Sequence, residues 1–197
     1  MRYETLKTNL EKTLHRMYEQ TGKVPGGPTG FCHKVVVGAL TGYPLDFQKS
    51  DTVGAQQLEE SFAGLQRYPV VASGKLPKEV IPNLLEQSKL TVKAVLIYGK
   101  VKSYPESHIV AVAPEDGQPP YHVIDSLLPN ATTACRTPEE TLDIVTKTFD
   151  PHGIRFAVIP EDSEIETRQI GSLTKDLIVI KNGVIVEAPP KHRFLKK

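Results

Sequence analysis

Ser107-His-Ile-Val-Ala-Val-Ala-Pro-Glu-Asp-Gly-Gln-Pro-Pro-Tyr-His-Val-Ile-Asp125 reads as two apolar strands around a turn, and its register decides how the rest of the chain is read. Asp-Gly between alternating apolar runs is a strong hairpin signal, because a tight hairpin turn needs positive φ at its centre. With Asp116-Gly117 as the central pair, opposed residues have numbers that sum to 233, and His108 stands opposite Asp125. Opposed side chains share a face with Cβ atoms about 4.5–5.5 Å apart, a spacing at which a carboxylate can hold an imidazole. In this register His122 opposes Ala111 and points to the other face, so Asp125 selects His108. Ile109, Ala111 and Ile124 on one face, with Val110, Val112 and Val123 on the other, mark interior sheet, where an unpaired His or Asp is costly. Taken alone, the pair fits a self-satisfied structural contact as well as a catalytic one.

Outward from the hairpin, helical spacing of Leu6, Leu10, Leu14 and Met17 predicts a packing helix over 3–18, stopped by Gly22 and Pro25. A Gly/Pro loop over 24–31 feeds a second helix over 32–40 that ends at Gly42. Residues 53–65 and 77–87 fit helices, 92–98 a strand, and the hairpin strands run over 107–113 and 121–127. Thr137 with Glu140 is a capping box opening an amphipathic helix over 138–149, and 154–159 is a further strand. Asn182-Gly183 splits 177–186 into a second hairpin. The last seven residues hold four Lys or Arg and read as a solvated tail. The order gives one α+β domain over 1–197, with its core at about 24–160.

Composition removes several functions. Apolar residues make up 39% and charged residues 24% of 197, and 24 Lys and Arg against 23 Asp and Glu leave a net charge of +1. That balance suits a globular chain and offers no footprint for nucleic acid. No apolar run approaches the ~18–20 residues of a membrane span. The first twenty residues carry charges at nearly every turn and no apolar segment of signal type, so the expected location is the cytoplasm, or the outside by a route without such a signal.

Two cysteines, Cys32 and Cys135, make neither a disulfide framework nor a paired zinc motif. Cys32 stands at a predicted helix start behind a loop of three glycines and two prolines. The positive end of the helix dipole and its free N–H groups favour a thiolate, and the same amides can donate to an oxyanion. The alternative for a lone Cys is a small buried hydrophobe. Helix-start position, the glycine-rich approach and the His-Asp hairpin together favour a nucleophile, with His108 as base and Asp125 orienting it. A metal site of Cys32, His108 and Asp125 is the weaker reading because no two ligands form a local pair, so no metal or cofactor is expected. Cys135, in the polar stretch 132–136, is expected to be a bystander in a loop. His33 is expected to point away from the thiol and, with His15, His152 and His192, to be solvated.

The order Cys32 at a helix start, His108 on a strand and Asp125 on the next strand resembles the papain-like cysteine peptidase superfamily. His108-Ile-Val-Ala-Val through Tyr121-His-Val-Ile-Asp-Ser-Leu-Leu128 looks most like the Josephin and ubiquitin-like-protease branches, and is similar to bacteriocin-processing peptidases and effector glutamine deamidases. The resemblance covers roughly residues 24–160. It implies a papain-like fold with a nucleophile-bearing helix packed on an antiparallel sheet, and a cysteine-dependent amide hydrolase acting through a thioester. Its implied partner is a protein substrate, with ubiquitin, a ubiquitin-like protein or a host protein as candidates. Deamidation, acyl transfer, or an inactive fold kept as a binding module are the alternatives. The chain departs from the pattern in two places. Gly26 and Gly27 occupy the positions where these families carry a Gln for the oxyanion hole, leaving Thr29, a loop amide or Gln20 as candidate donors. Ile109 follows the His where an aromatic is common.

Overall fold

Leu6, Leu10, Thr13 and Met17 are the buried residues of a helix α1, Tyr3–Thr21, and their spacing of three to four lines one face. The second helix, α2 (Cys32–Thr41), is buried from His33 to Thr41 on every side. A helix without a polar face is a central one. It packs between α1 and the sheet, and its C-terminus closes on Gly42 in the left-handed conformation, whose N–H donates to Gly38 O at 2.7 Å. The third helix, α3 (Pro138–Thr148), starts at the expected cap: Thr137 Oγ1 accepts from Glu140 N, while Glu140 Oε2 accepts from Arg136 N, one residue before the N-cap N–H that a full capping box would use.

The structure is a computed structural model that describes residues 3–42, 44–48, 66–68, 92–102, 107–115, 118–150, 154–160, 179–181 and 184–186. The predicted helices over 53–65 and 77–87, the Asp116-Gly117 and Asn182-Gly183 turns and the basic tail lie outside these residues. The strands are β1 (Gln66–Tyr68), β2 (Val92–Lys100), β3 (Ser107–Glu115), β4 (Gln118–Ile124), β5 (Thr132–Cys135), β6 (Arg155–Pro160), β7 (Val179–Lys181) and β8 (Val184–Val186). Six of them form one sheet in the order β1-β6-β2-β3-β4-β5, every pair antiparallel, and β7 and β8 pair antiparallel as a separate ribbon. Among the described residues no helix is long and apolar enough to cross a membrane.

Alternation along the strands divides the core in two. Ala94, Leu96, Ile109, Ala111, Ile124 and Ala157 face α1 and α2, while Val95, Ile97, Val110, Val112, Val123 and Val158 face Leu142, Val145 and Phe149 at α3. β3 is buried on both faces from His108 to Pro114, as the uninterrupted apolar run requires.

The hairpin register corrects the sequence reading in one respect. Glu115 pairs with Gln118 on the expected sum of 233, but Pro114 pairs with Tyr121, and from there opposed numbers sum to 235, as in Ala111 with Ile124. Pro119 and Pro120 are two additional residues on β4, and proline has no N–H to give the ladder. A slip of two leaves each side chain on its expected face, whereas a slip of one would have reversed them. His108 and Asp125 therefore still share a face. His122 opposes Ala113 rather than Ala111, on the opposite face as expected.

Candidate active site

β4 ends at Ile124, so the first residues of β3 have no β4 neighbour. There the chain turns away: Asp125 N donates to Ala131 O at 2.9 Å, and Leu128 N donates to Asp125 O at 3.0 Å. The Gly/Pro loop before α2 lies against this turn, with Gly26 N donating to Ser126 O at 3.0 Å. Gly26 has φ +103, a backbone conformation that residues with a side chain rarely adopt, so the path of this loop favours glycine, while a Cβ there would meet Pro129 Cα at an ordinary 3.4 Å. This contact brings the α2 N-terminus to the open edge of β3.

His108 and Asp125 meet across that edge. Nε2 of His108 lies 2.6 Å from Oδ1 of Asp125, with only 3% and 1% of the two side chains exposed. Oδ1 also accepts from Leu127 N at 2.9 Å, which fixes the carboxylate independently of the imidazole. Phe149 covers the ring with its centroid 5.9 Å away. With Nε2 engaged by Asp125, Nδ1 is the nitrogen left for the thiol of Cys32, to which His108 is also hydrogen-bonded.

The thiol is half-buried. Burial would push it up, but hydrogen bonds from His108 and His33 and the charges of both rings outweigh this and bring Cys32 down to about 6 from an ordinary 9.0. His108 moves the other way. Burial would lower it, but the hydrogen bonds to Asp125 and to Cys32 and the charges behind them raise it from 6.5 to about 9. Each group stabilises the charged form of the other, and a thiolate–imidazolium pair results. Phe31, at the N-cap of α2, supplies no side-chain cap, so its side chain does not occupy the first-turn N–H groups.

Other expectations change. Cys135 is not in a loop: it ends β5, opposite Tyr121, and is 2% exposed. Burial raises its thiol, a hydrogen bond to Thr141 lowers it and the charge of Glu140 raises it, for a net upward shift that keeps it a thiol. The polar appearance of 132–136 hid a strand because β5 lies at the sheet edge. His33 is not solvated: it is 8% exposed, its Nε2 is buried without a hydrogen-bond partner among the described residues, and it helps to lower the Cys32 thiol. The unbroken apolar run after it signalled a helix buried all round, in which a first-turn side chain also meets protein. His15 is exposed as expected, paired with Glu19 at 3.1 Å. His152 and His192 lie outside the described residues.

Among the candidate oxyanion donors, Gln20 Oε1 accepts from Phe47 N at 2.6 Å, and Thr29 Oγ1 accepts from Phe31 N at 3.2 Å. Lys34 was not anticipated. Fully buried, it donates to Asp46 O at 2.7 Å with its Nζ 5.6 and 5.8 Å from the rings of Phe31 and Phe47, and so ties residues 44–48 to α2. A groove of about 370 Å³ along α1 is lined by Leu6, Leu10, Pro25 and Pro129 among others and includes none of Cys32, His108 and Asp125. Among the described residues no group of three His, Cys, Asp or Glu is placed to hold a metal ion.

No family model, no curated protein and no solved structure matches this chain.

Proposed function

We propose that this protein is a cysteine-dependent amide hydrolase of papain-like type, with Cys32 as nucleophile, His108 as general base and acid, and Asp125 as the group that orients His108. The observation that carries this reading is His108 held between the Asp125 carboxylate at 2.6 Å and the Cys32 thiol, with that thiol lowered to about 6. A buried structural cysteine is shifted upward, as Cys135 is. The strand and helix order around the three residues, and the resemblance quoted above, support the papain-like assignment.

In the proposed reaction Sγ attacks an amide carbonyl and the C=O pair moves onto oxygen. As the pair returns, the C–N bond breaks and His108 gives its proton to the leaving amine, producing a thioester. Water then attacks the thioester, giving a proton to His108, and the C–S bond breaks to release the acid and restore the thiolate–imidazolium pair. Proteolysis, side-chain deamidation and acyl transfer share this thioester. A protein substrate is the class we infer, with ubiquitin or a ubiquitin-like protein the first candidates and a host protein next if the chain is exported.

The test has two steps. Iodoacetamide should label Cys32 rapidly at pH 7 and Cys135 slowly. Mass spectrometry of ubiquitin conjugates and other candidate proteins should then show a new terminus for proteolysis, or a gain of about 1 Da for deamidation. If Cys32 labels no faster than a free cysteine, whose pKa is about 8.5, the hydrolase reading gives way to a papain-like binding module.

A further inference from the structure

We propose that Lys23 is a positioning residue for Cys32: its ammonium spans the Gly/Pro loop and grips the residues on either side of Gly30, which closes a hinge next to the nucleophile. The inference rests on Cys32 being the nucleophile. Lys23 is held at the end of α1, where its N–H donates to Thr21 Oγ1 at 3.2 Å. Its Nζ donates to the carbonyl of Thr29 at 2.8 Å and lies 4.9 Å from the centre of the Phe31 ring. Thr29 is buried, so its carbonyl needs a protein donor, and Lys23 supplies one. An ammonium over an aromatic face is attracted to it as well. Gly30, between the two gripped residues, has φ +77, and no atom of the described residues lies within 4 Å of where its Cβ would be. A glycine in open space is the residue about which the chain turns most freely.

The path of the chain makes this hinge matter. Phe31 is the N-cap of α2, its O accepts from Val35 N at 2.9 Å, and its ring meets that of Phe47 edge-on at 5.3 Å. At the other end of the loop Gly26 N donates to Ser126 O, beside Asp125. The loop is therefore the link between the turn that carries the acid and the helix that carries the nucleophile, and Gly30 is the hinge in it. Lys23, helped by Thr29 Oγ1 accepting from Phe31 N, makes that link rigid and so sets Sγ of Cys32 relative to His108 and Asp125. Lys23 touches no reacting atom, and its proton stays on nitrogen throughout. A displacement of about 1 Å in a reacting group can cost about a hundredfold in rate, so a loose hinge is felt in catalysis before it is felt in stability.

Lys23→Met keeps the length of the side chain without its charge or its donors, and Lys23→Arg keeps both. Three quantities are measured in the full chain for wild type and the two variants: Tm, the rate of Cys32 acylation by p-nitrophenyl acetate at pH 7, and amide hydrogen exchange over residues 24–32. Lys23 is exposed, so Lys23→Met should lower Tm by less than about 3 °C. Its acylation should fall about tenfold or more, and Lys23→Arg should stay within about threefold of wild type. A cation also acts at a distance by its charge, but at about 1 M salt that influence is screened within ~3 Å, and the loss in Lys23→Met should persist there. Exchange over residues 24–32 should quicken in Lys23→Met and not in Lys23→Arg. Acylation by Lys23→Met within about twofold of wild type, a loss that vanishes at about 1 M salt, or an Arg variant no faster than the Met variant overturns the proposal. Unchanged exchange in Lys23→Met overturns it too, and so does a large fall in Tm with exchange rising over the whole chain, which would make Lys23 a residue of general stability. A wild-type Cys32 that takes up no acetyl group overturns the hydrolase reading instead, and the exchange comparison then decides whether Lys23 holds the hinge.

Discussion

His108 Nε2 lies 2.6 Å from Asp125 Oδ1 although neither residue belongs to the β3–β4 ladder, which begins at Ala111 and ends at Ile124. The pair is held from outside it, His108 by pairing with Gly99 of β2 and Asp125 by the Ala131 carbonyl and the Leu127 N–H. Asp125→Ala would orphan a buried donor, His108 Nε2, at about 1–3 kcal/mol, and a half-buried one, Leu127 N, at less. A fall in Tm of roughly 5–15 °C is expected, with a loss of about a hundredfold or more in Cys32 acylation. Asp125→Asn keeps an oxygen for both donors, so it should cost less than half as much stability and about tenfold in acylation. Thermal melts beside acylation rates check both. If the two variants lose acylation equally, the carboxylate acts by its charge and not by holding the ring.

Gly38 marks where α1 meets α2. A Cβ there would lie 2.3 Å from Thr13 Oγ1 and 2.5 Å from Thr13 Cγ2, and Thr13 is itself fixed by donating to Asn9 O at 2.7 Å. Gly38→Ala must therefore push α1 away from α2 along a fully buried seam. Overpacking of this kind costs about 1–3 kcal/mol, against a gain of about 1 kcal/mol in helix propensity. A net loss of stability in chemical denaturation is expected, and the double variant Gly38→Ala with Thr13→Ala should recover part of it. Gain of stability by Gly38→Ala alone would mean that the two helices do not pack as described.

Cys135 serves as the internal control. Its thiol is buried at the end of β5, shifted upward and hydrogen-bonded to Thr141, with no imidazole acting on it. Cys135→Ser should leave the rate of Cys32 alkylation within about twofold, and cost about 1–3 kcal/mol only if the new hydroxyl fails to reuse Thr141. Peptide mapping after labelling separates the two thiols. An inert Cys135→Ser variant would mean that Cys135, not Cys32, is the reactive thiol.

The site was legible because its sequence signals are local. A turn dipeptide, strand alternation and a glycine-rich helix start placed His108, Asp125 and Cys32, and the face assignment survived because Pro119-Pro120 moved the register by an even number. His33 was not legible from its spacing. Adjacent helical residues point about 100° apart, which suggests that the neighbour of Cys32 looks elsewhere. What decides the matter is that α2 has no solvent face, a property of how it is sandwiched between α1 and the sheet. Lys34 was missed for the same reason, and β5 because a four-residue edge strand of Thr-Thr-Ala-Cys has neither length nor alternation to announce it.

The thiolate–imidazolium pair separates reactivity from stability in its response to pH. Cys32, lowered to about 6, should alkylate at full rate above that pH, and His108, raised to about 9, should stop serving as a proton donor above that value. Acyl transfer should thus follow a bell with limbs near 6 and 9, whereas alkylation keeps only the lower limb. In His108→Ala the onset of alkylation should move upward, because the largest of the influences that lower Cys32 is gone. Stability behaves differently. The contribution of His108 is present below its ordinary 6.5 and lost as pH rises through about 9, while that of Cys32 is present above its ordinary 9.0 and lost as pH falls through about 6. The two run in opposite directions over the same interval, so folding exchanges a proton between the groups and takes up almost none in sum. The difference in Tm between wild type and the double variant Cys32→Ser, His108→Gln should therefore stay nearly constant from about pH 6.5 to 8.5, while Cys32 alkylation in the wild type begins near 6. A Tm difference that changes steeply across that interval would mean that the two groups titrate independently and that no proton is shared between them.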